Sequence, residues 1–162
     1  LIVRIAIASD HAGVRLKSDV CAHLSAQGHT VTDLGPSSTT SVDYPTYASK
    51  AALEVVEGRA DCAVLICGTG MGMGIAANKV RGIRAVVCSH AFTAQMARVH
   101  NDANVLCLGE RVVGGGLALS IVDAFIDAKF EGGRHARRVA QISALEEGMH
   151  CESSQPSTGC RS

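Results

Sequence analysis

A chain of 162 residues is long enough for one domain with an ordinary core and too short for a multidomain enzyme. Fifteen basic and fifteen acidic residues cancel, so the overall charge offers nothing to a nucleic acid or an anionic membrane; any anion must be held locally. The chain is 47% apolar, but its apolar runs, such as residues 63–66, fall far short of the roughly 18–20 residues that span a bilayer.

The opening "LIVRIAIASDH" has no basic leader and no small-residue cleavage site, so it reads as a strand over residues 3–8, not a signal peptide. A soluble, cytoplasmic protein is expected. The helix over 12–26 puts Val14, Val20, Cys21 and Leu24 on one side while Arg15, Lys17 and Asp19 can stay wet, and Gly28 ends it. Further strands are expected at 30–34, 62–67, 84–88 and 105–108. Helices are expected at 45–57, 72–79, 91–99 and 117–128, with "LGPSSTTSVDYP" as a polar loop. Short β-branched runs alternating with helical patterns imply a parallel sheet covered on both faces. Gly132 and Gly133 break the chain before a last helix over 134–147, which no strand follows. It can pack on its own sheet or reach a second subunit, and the second is the expectation. Residues 1–149 are expected to form the domain. The polar, aperiodic stretch 150–162 is expected to be a disordered tail.

Seven cysteines, at 21, 62, 67, 88, 107, 151 and 160, include no C-x-x-C pair, which argues against a zinc site or a thioredoxin motif. Cys62 and Cys67, five apart on one strand, should face opposite ways. Cys88 and Cys107 sit in apolar runs and read as small buried residues.

After the strand ending at Cys67 the chain runs "GTGMGMGIAANK", glycines opening a helix, where backbone N–H groups can meet an anion. A dinucleotide fingerprint would need glycine at position 73, which is Met73, and an acid near Cys88 and Ser89, where there is none. A Walker loop fails because Lys79 follows Asn78. An anion-binding turn and a plain tight turn both remain. Cys67 itself could be a core residue, a metal ligand, a redox thiol or a base. In an open parallel sheet ligands lie beyond the carboxyl ends of the strands, and polar residues collect there: Asp10 and His11, Cys67 and Thr69, Glu110 and Arg111. Further on, "VHNDANV" brings His100, Asn101 and Asp102 to a helix-to-strand turn. Asp102 and Asn104 read as turn residues there, and His100 as a cap or core hydrogen-bonder unless a site claims it. Arg134 and Arg138, at i and i+4, share a helical face that suits a phosphate or simply solvent, while Arg137 points elsewhere.

Taken together, "SDHAG", "SVDYPTYAS", "ICGTGMGMGIAANKVRGIRAVVC", "HNDANVLCLGERVVG" and "EGGRHARRV", in this order over about residues 3–147, resemble the type B ribose-5-phosphate isomerases. That family also contains allose-6-phosphate and galactose-6-phosphate isomerases. The resemblance implies a Rossmann-like three-layer α/β/α sandwich with a five-stranded parallel sheet. It also implies a homodimer or dimer of dimers with a shared site, and interconversion of aldose and ketose phosphates without metal or cofactor. By position, Cys67 would be the base at the second sugar carbon; members without this cysteine use a glutamate in the glycine loop, and this loop has no acid. His100 would help open the ring, with Asp43 as helper. Asp10 and Thr69 would contact hydroxyl and carbonyl oxygens. Amides of Gly68, Thr69, Gly70, Met71 and Gly72 would hold the enediolate, with Tyr44 beside them. His11, Arg111, Arg134 and Arg138 would hold the phosphate, and Asn101 a sugar hydroxyl.

The chemistry asks for the same residue types. Removing a proton beside a carbonyl needs a base that titrates near working pH; thiols begin near about 8.5, and loop amides and a helix start favour the thiolate. Charge forming on the carbonyl oxygen needs donors already in place. A distant phosphate supplies binding energy for orientation. The rivals are a non-catalytic phosphosugar or nucleotide sensor and, weakened by the missing C-x-x-C, a thiol-redox protein.

Overall fold

The computed structural model describes residues 1–149; the stretch expected to be a disordered tail, with Cys151 and Cys160, lies outside the described residues. Five strands, β1 (Arg4–Ser9), β2 (Thr30–Asp33), β3 (Cys62–Cys67), β4 (Ala85–Val87) and β5 (Val105–Gly109), form one parallel sheet in the order β2-β1-β3-β5-β4. Helices α1 (Val14–Ala26), α4 (Ala91–Asn101) and α5 (Gly115–Asp127) cover one face, and α2 (Tyr44–Val56) and α3 (Met71–Ala77) the other. The expected three-layer α/β/α sandwich is present. None of the described helices is long and apolar enough to cross a membrane.

Period-two alternation in the strands builds the two core layers. Ile5, Ile7, Val64, Ile66, Leu106 and Leu108 meet Leu16, Val20 and Leu24 of α1 and Ile121, Val122 and Phe125 of α5. Each large side chain so buried is worth about 1.5–3 kcal/mol over exposure. The opposite layer is thin: Ala6, Ala8 and Ala63 meet Ala48, Ala51 and Ala52 of α2, with Leu65, Met73 and Cys107 filling beside them. Cys62 joins the first layer and Cys67 the second, as their odd separation requires.

Element ends differ from the sequence reading where side chains take over backbone groups. Helix α1 starts at Val14, not at 12, because Asp10 Oδ1 accepts the Ala12 N–H at 2.8 Å and holds the preceding turn. Helix α4 runs on to Asn101, where Asp102 adopts the left-handed region (φ 47°) and ends it. Asp102 also pairs with Arg84 at 3.0 Å, and Asn104 bonds the backbone of Gly82 and Arg84, so both are turn residues as read. The last helix, α6 (Arg134–Glu146), packs against α4 of its own chain. Its far end is held by Glu146 accepting the Gly82 N–H at 3.1 Å and by Glu147 paired with Arg81. Ile142 and Leu145 remain exposed on it.

The chain leaves β1 outward to β2 and returns past β1 to β3. Helices α1 and α2 therefore diverge to opposite faces, opening a crevice at the carboxyl ends of β1 and β3. Gly13 makes it tight: a Cβ there would lie 2.6 Å from the Ile66 carbonyl oxygen.

Candidate active site

At the end of β3, Cys67 is buried, and its sulfur accepts the Gly70 N–H at 3.1 Å. That approach needs Gly70 in the left-handed region (φ 81°), where a Cβ would also press on Val87 and the Leu108 carbonyl at 3.0–3.2 Å. The loop is sewn to the neighbouring strand: Glu110 N–H donates to the Cys67 carbonyl at 2.8 Å, and Arg111 N–H to that of Gly68 at 3.0 Å. Gly109 lets Thr69 come in, since a Cβ on it would be 2.7 Å from the Thr69 backbone. The Arg111 guanidinium lies over Gly68 and the Tyr44 ring over Gly72. A cation and a phenol thus flank the glycine turn.

From β1, Asp10 enters the same crevice, largely buried, with its N–H donating to the Ile66 carbonyl at 3.0 Å. His11 Nδ1 accepts the Val42 N–H at 3.3 Å, so a neutral ring carries its proton on Nε2, and the long loop before α2 is tied to the site. Asp43 precedes α2 without a side-chain capping bond. Glu110, in contrast, is spent elsewhere: its Oε2 accepts the Leu16 N–H in the first turn of α1 at 3.1 Å.

His100, Asn101, Arg134 and Arg138 are not brought to this crevice. Helix α4 leaves the carboxyl end of β4 and runs back, so its last turn lies at the amino end of the sheet, the edge opposite Cys67. Arg134 and Arg138 sit beside that turn because α6 packs on α4. Two further residues, Glu131 and His135, complete this corner. His135, buried, stacks on His100 with ring centroids 4.3 Å apart, accepts from Arg134 Nε at 3.4 Å and lies 3.5 Å from Glu131 Oε2. Burial, then the charges of His100 and Arg134, hold its pKa below the ordinary histidine value. His135 lies inside a motif already singled out, but the i, i+4 rule drew attention to the arginines on either side.

The other thiols among the described residues are inert by position. Burial pushes Cys62 up to about 12 and raises Cys88 and Cys107. Cys21 is pushed up to about 11 by burial and the nearby Asp33. A cavity of about 470 Å³ at the amino end of the sheet is lined by His29, Cys62, Arg98 and Phe125 among others. Arg98 is occupied there, stacked over Phe125 and bonded to the Ala103 carbonyl at 2.6 Å.

A thiol facing preset amides, with a buried carboxylate, a histidine and an arginine around it, is the equipment of proton transfer next to a carbonyl, and the chain belongs to the Ribose/Galactose Isomerase family, whose model matches residues 5–142. It is 54% identical to ribose-5-phosphate isomerase B of Escherichia coli K12 over 144 residues, which are 89% of this chain and 97% of that protein. Among solved structures, ribose-5-phosphate isomerase B of Clostridium thermocellum superposes with a TM-score of 0.88 at 51% identity, covering 89% of this chain and 97% of its own. The Mycoplasma genitalium protein, solved with bound ribulose-5-phosphate, gives 0.86 at 44% identity, covering 90% and 97%.

Proposed function

We propose that this chain interconverts ribose 5-phosphate and ribulose 5-phosphate in the cytoplasm, with Cys67 as the base. The carrying observation is the Cys67 sulfur held against the Gly70 amide on the floor of the glycine loop. The Cys67 thiolate takes the proton from the second carbon of the open-chain aldose. The electron pair moves through the new carbon–carbon double bond onto the carbonyl oxygen, where amides from Gly68 to Gly72 and Thr69 meet the charge. Asp10 carries the hydroxyl proton across, and the thiol returns its proton to the first carbon. No metal or cofactor enters these steps. His11 and Arg111 hold the phosphate from the Cys67 side, with Tyr44 closing the loop.

Ring opening by His100, helped by Asp43, needs the two edges of the sheet to meet. We infer a homodimer, or a dimer of dimers, in which the corner of His100, Asn101, Arg134 and Arg138 of one subunit faces the Cys67 crevice of the other. Exposed apolar side chains on the α2 and α3 layer beside that crevice, Leu53, Val56, Met71 and Ile75, support this reading. The likeness to a relative solved with ribulose-5-phosphate supports the choice of substrate.

The test is a steady-state assay with chelator present on ribose, allose and galactose phosphates, with wild type and Cys67→Ala. Ribose 5-phosphate should be turned over fastest, and Cys67→Ala should lose turnover while still binding the sugar phosphate. A preference for a six-carbon substrate would move the enzyme to allose or galactose phosphates. Binding without turnover by the wild type would leave a phosphosugar sensor. Full activity in Cys67→Ala would remove the base.

A further inference from the structure

The corner opposite Cys67 holds a second constellation. His100 comes from the last turn of α4, Glu131 from the link after α5, and His135 from the first turn of α6, and one ligand atom of each lies within 4.8 Å of the others. Among the described residues they form the one group of three such ligand atoms. The backbone builds it. Glu131 N–H donates to the Val99 carbonyl at 3.1 Å, and His135 N–H to that of Gly132 at 3.0 Å. Gly132 and Gly133, both at positive φ (68° and 54°), fold the link so that Glu131 and His135 face each other.

We propose that His100, Glu131 and His135 bind a divalent transition ion of the zinc class, and that filling this site stops turnover by taking His100 and displacing Arg134. Two imidazoles and one carboxylate are a donor set suited to zinc, leaving a fourth position open. Bonds of about 2.0–2.1 Å in a tetrahedron set ligand atoms about 3.3 Å apart. Glu131 Oε2 and His135 Nε2, 3.5 Å apart, already match that edge. The stacked rings, 13° from parallel, keep their lone pairs in neighbouring planes, so one ring must tilt. His100, only part-buried at a helix end, has room to do so. Arg134 now donates to His135 Nε2 and must give way to the ion, and Arg138 adds a second positive charge on the same helix. Both arginines oppose a cation, so the ion competes with the anion they would otherwise hold.

The blocking step rests on the role given to His100 in turnover; the binding step does not. Cobalt(II) added to the intact reduced protein reports on binding without any sugar. The expected result is a tetrahedral visible spectrum saturating at one ion per chain, displaced by zinc, with no thiolate charge-transfer band. Glu131→Gln and His135→Gln should each weaken it by at least about tenfold. Glu131 is exposed, so Glu131→Gln carries the test even if His135→Gln disturbs folding. Wild-type turnover should fall as the site fills and return with chelator, while Glu131→Gln, fully active without metal, should keep turning over at the same zinc concentration. A spectrum with thiolate character, no spectrum, or one unchanged in both variants would overturn the site. Filled wild type at full speed would overturn the block alone. An enzyme inactive on every sugar phosphate would sink the isomerase reading and leave the spectrum to judge the site.

Discussion

Single residues decide whether the glycine turn can present its amides. Gly70 is the sharpest case, because its left-handed backbone aims an N–H at Cys67 and leaves no room for a methyl group beside Leu108. Gly70→Ala should cost about 1–3 kcal/mol of stability in a denaturant titration. It should also lower kcat far more than it raises KM, since the lost donor meets charge that exists only during reaction. The buried thiols give a second expectation. An ordinary thiol titrates at 9.0, and Cys62 in the fold at about 12. Below the unfolded value both states keep the proton. Above it the unfolded chain releases its proton first, so stability falls as pH rises from about 9 to about 12, by up to about 1.4 kcal/mol per pH unit for this group. Urea midpoints across that range should decline, and less steeply in Cys62→Ala. The place of Cys67, Asp10 and His11 in the crevice is legible because Cys67 ends one strand and Asp10 and His11 come just after another. The partnership of His135 and Glu131 is not, because it depends on a glycine fold and a ring stack.

At the level of elements, the alanine face of α2 sets how closely that helix approaches the sheet, and through Tyr44 where it rests on the glycine loop. Ala51→Leu should therefore cost about 1–3 kcal/mol by overpacking, read from the same denaturant curves, and should lower turnover as Tyr44 is pushed off Gly72. Strand and helix order can be read from alternating periods, and the expected bounds of β3 match the structure to the residue. Helix starts were harder wherever a carboxylate intervened: Asp10 delays α1, and nothing in the hydrophobic pattern marks that. The course of α6 was also out of reach, because its anchors, Arg81 and Gly82, are far away in sequence.

For the molecule as a whole, the decisive geometry is that Cys67 and His100 occupy opposite edges of one sheet. If each working site draws one from either subunit, Cys67→Ala and His100→Ala, each inactive, should restore activity when mixed and allowed to exchange. Random pairing of equal amounts makes half the dimers mixed, each with one sound site of two, so about a quarter of wild-type activity should return. No recovery despite proven exchange would mean that the halves never meet. Ile75→Glu should shift the protein towards monomer in light scattering and remove turnover with it. Sequence blocks named both halves of the proposed site, but chain order could not say that they face apart; only the direction of α4 does.

The opposed edges also change what concentration means for this protein. On the proposed shared site, a lone chain, however well folded, holds half of each tool set facing empty water. Diluted below its dissociation constant, the protein should lose activity as the square of its amount, and regain it on concentration, with no change in fold.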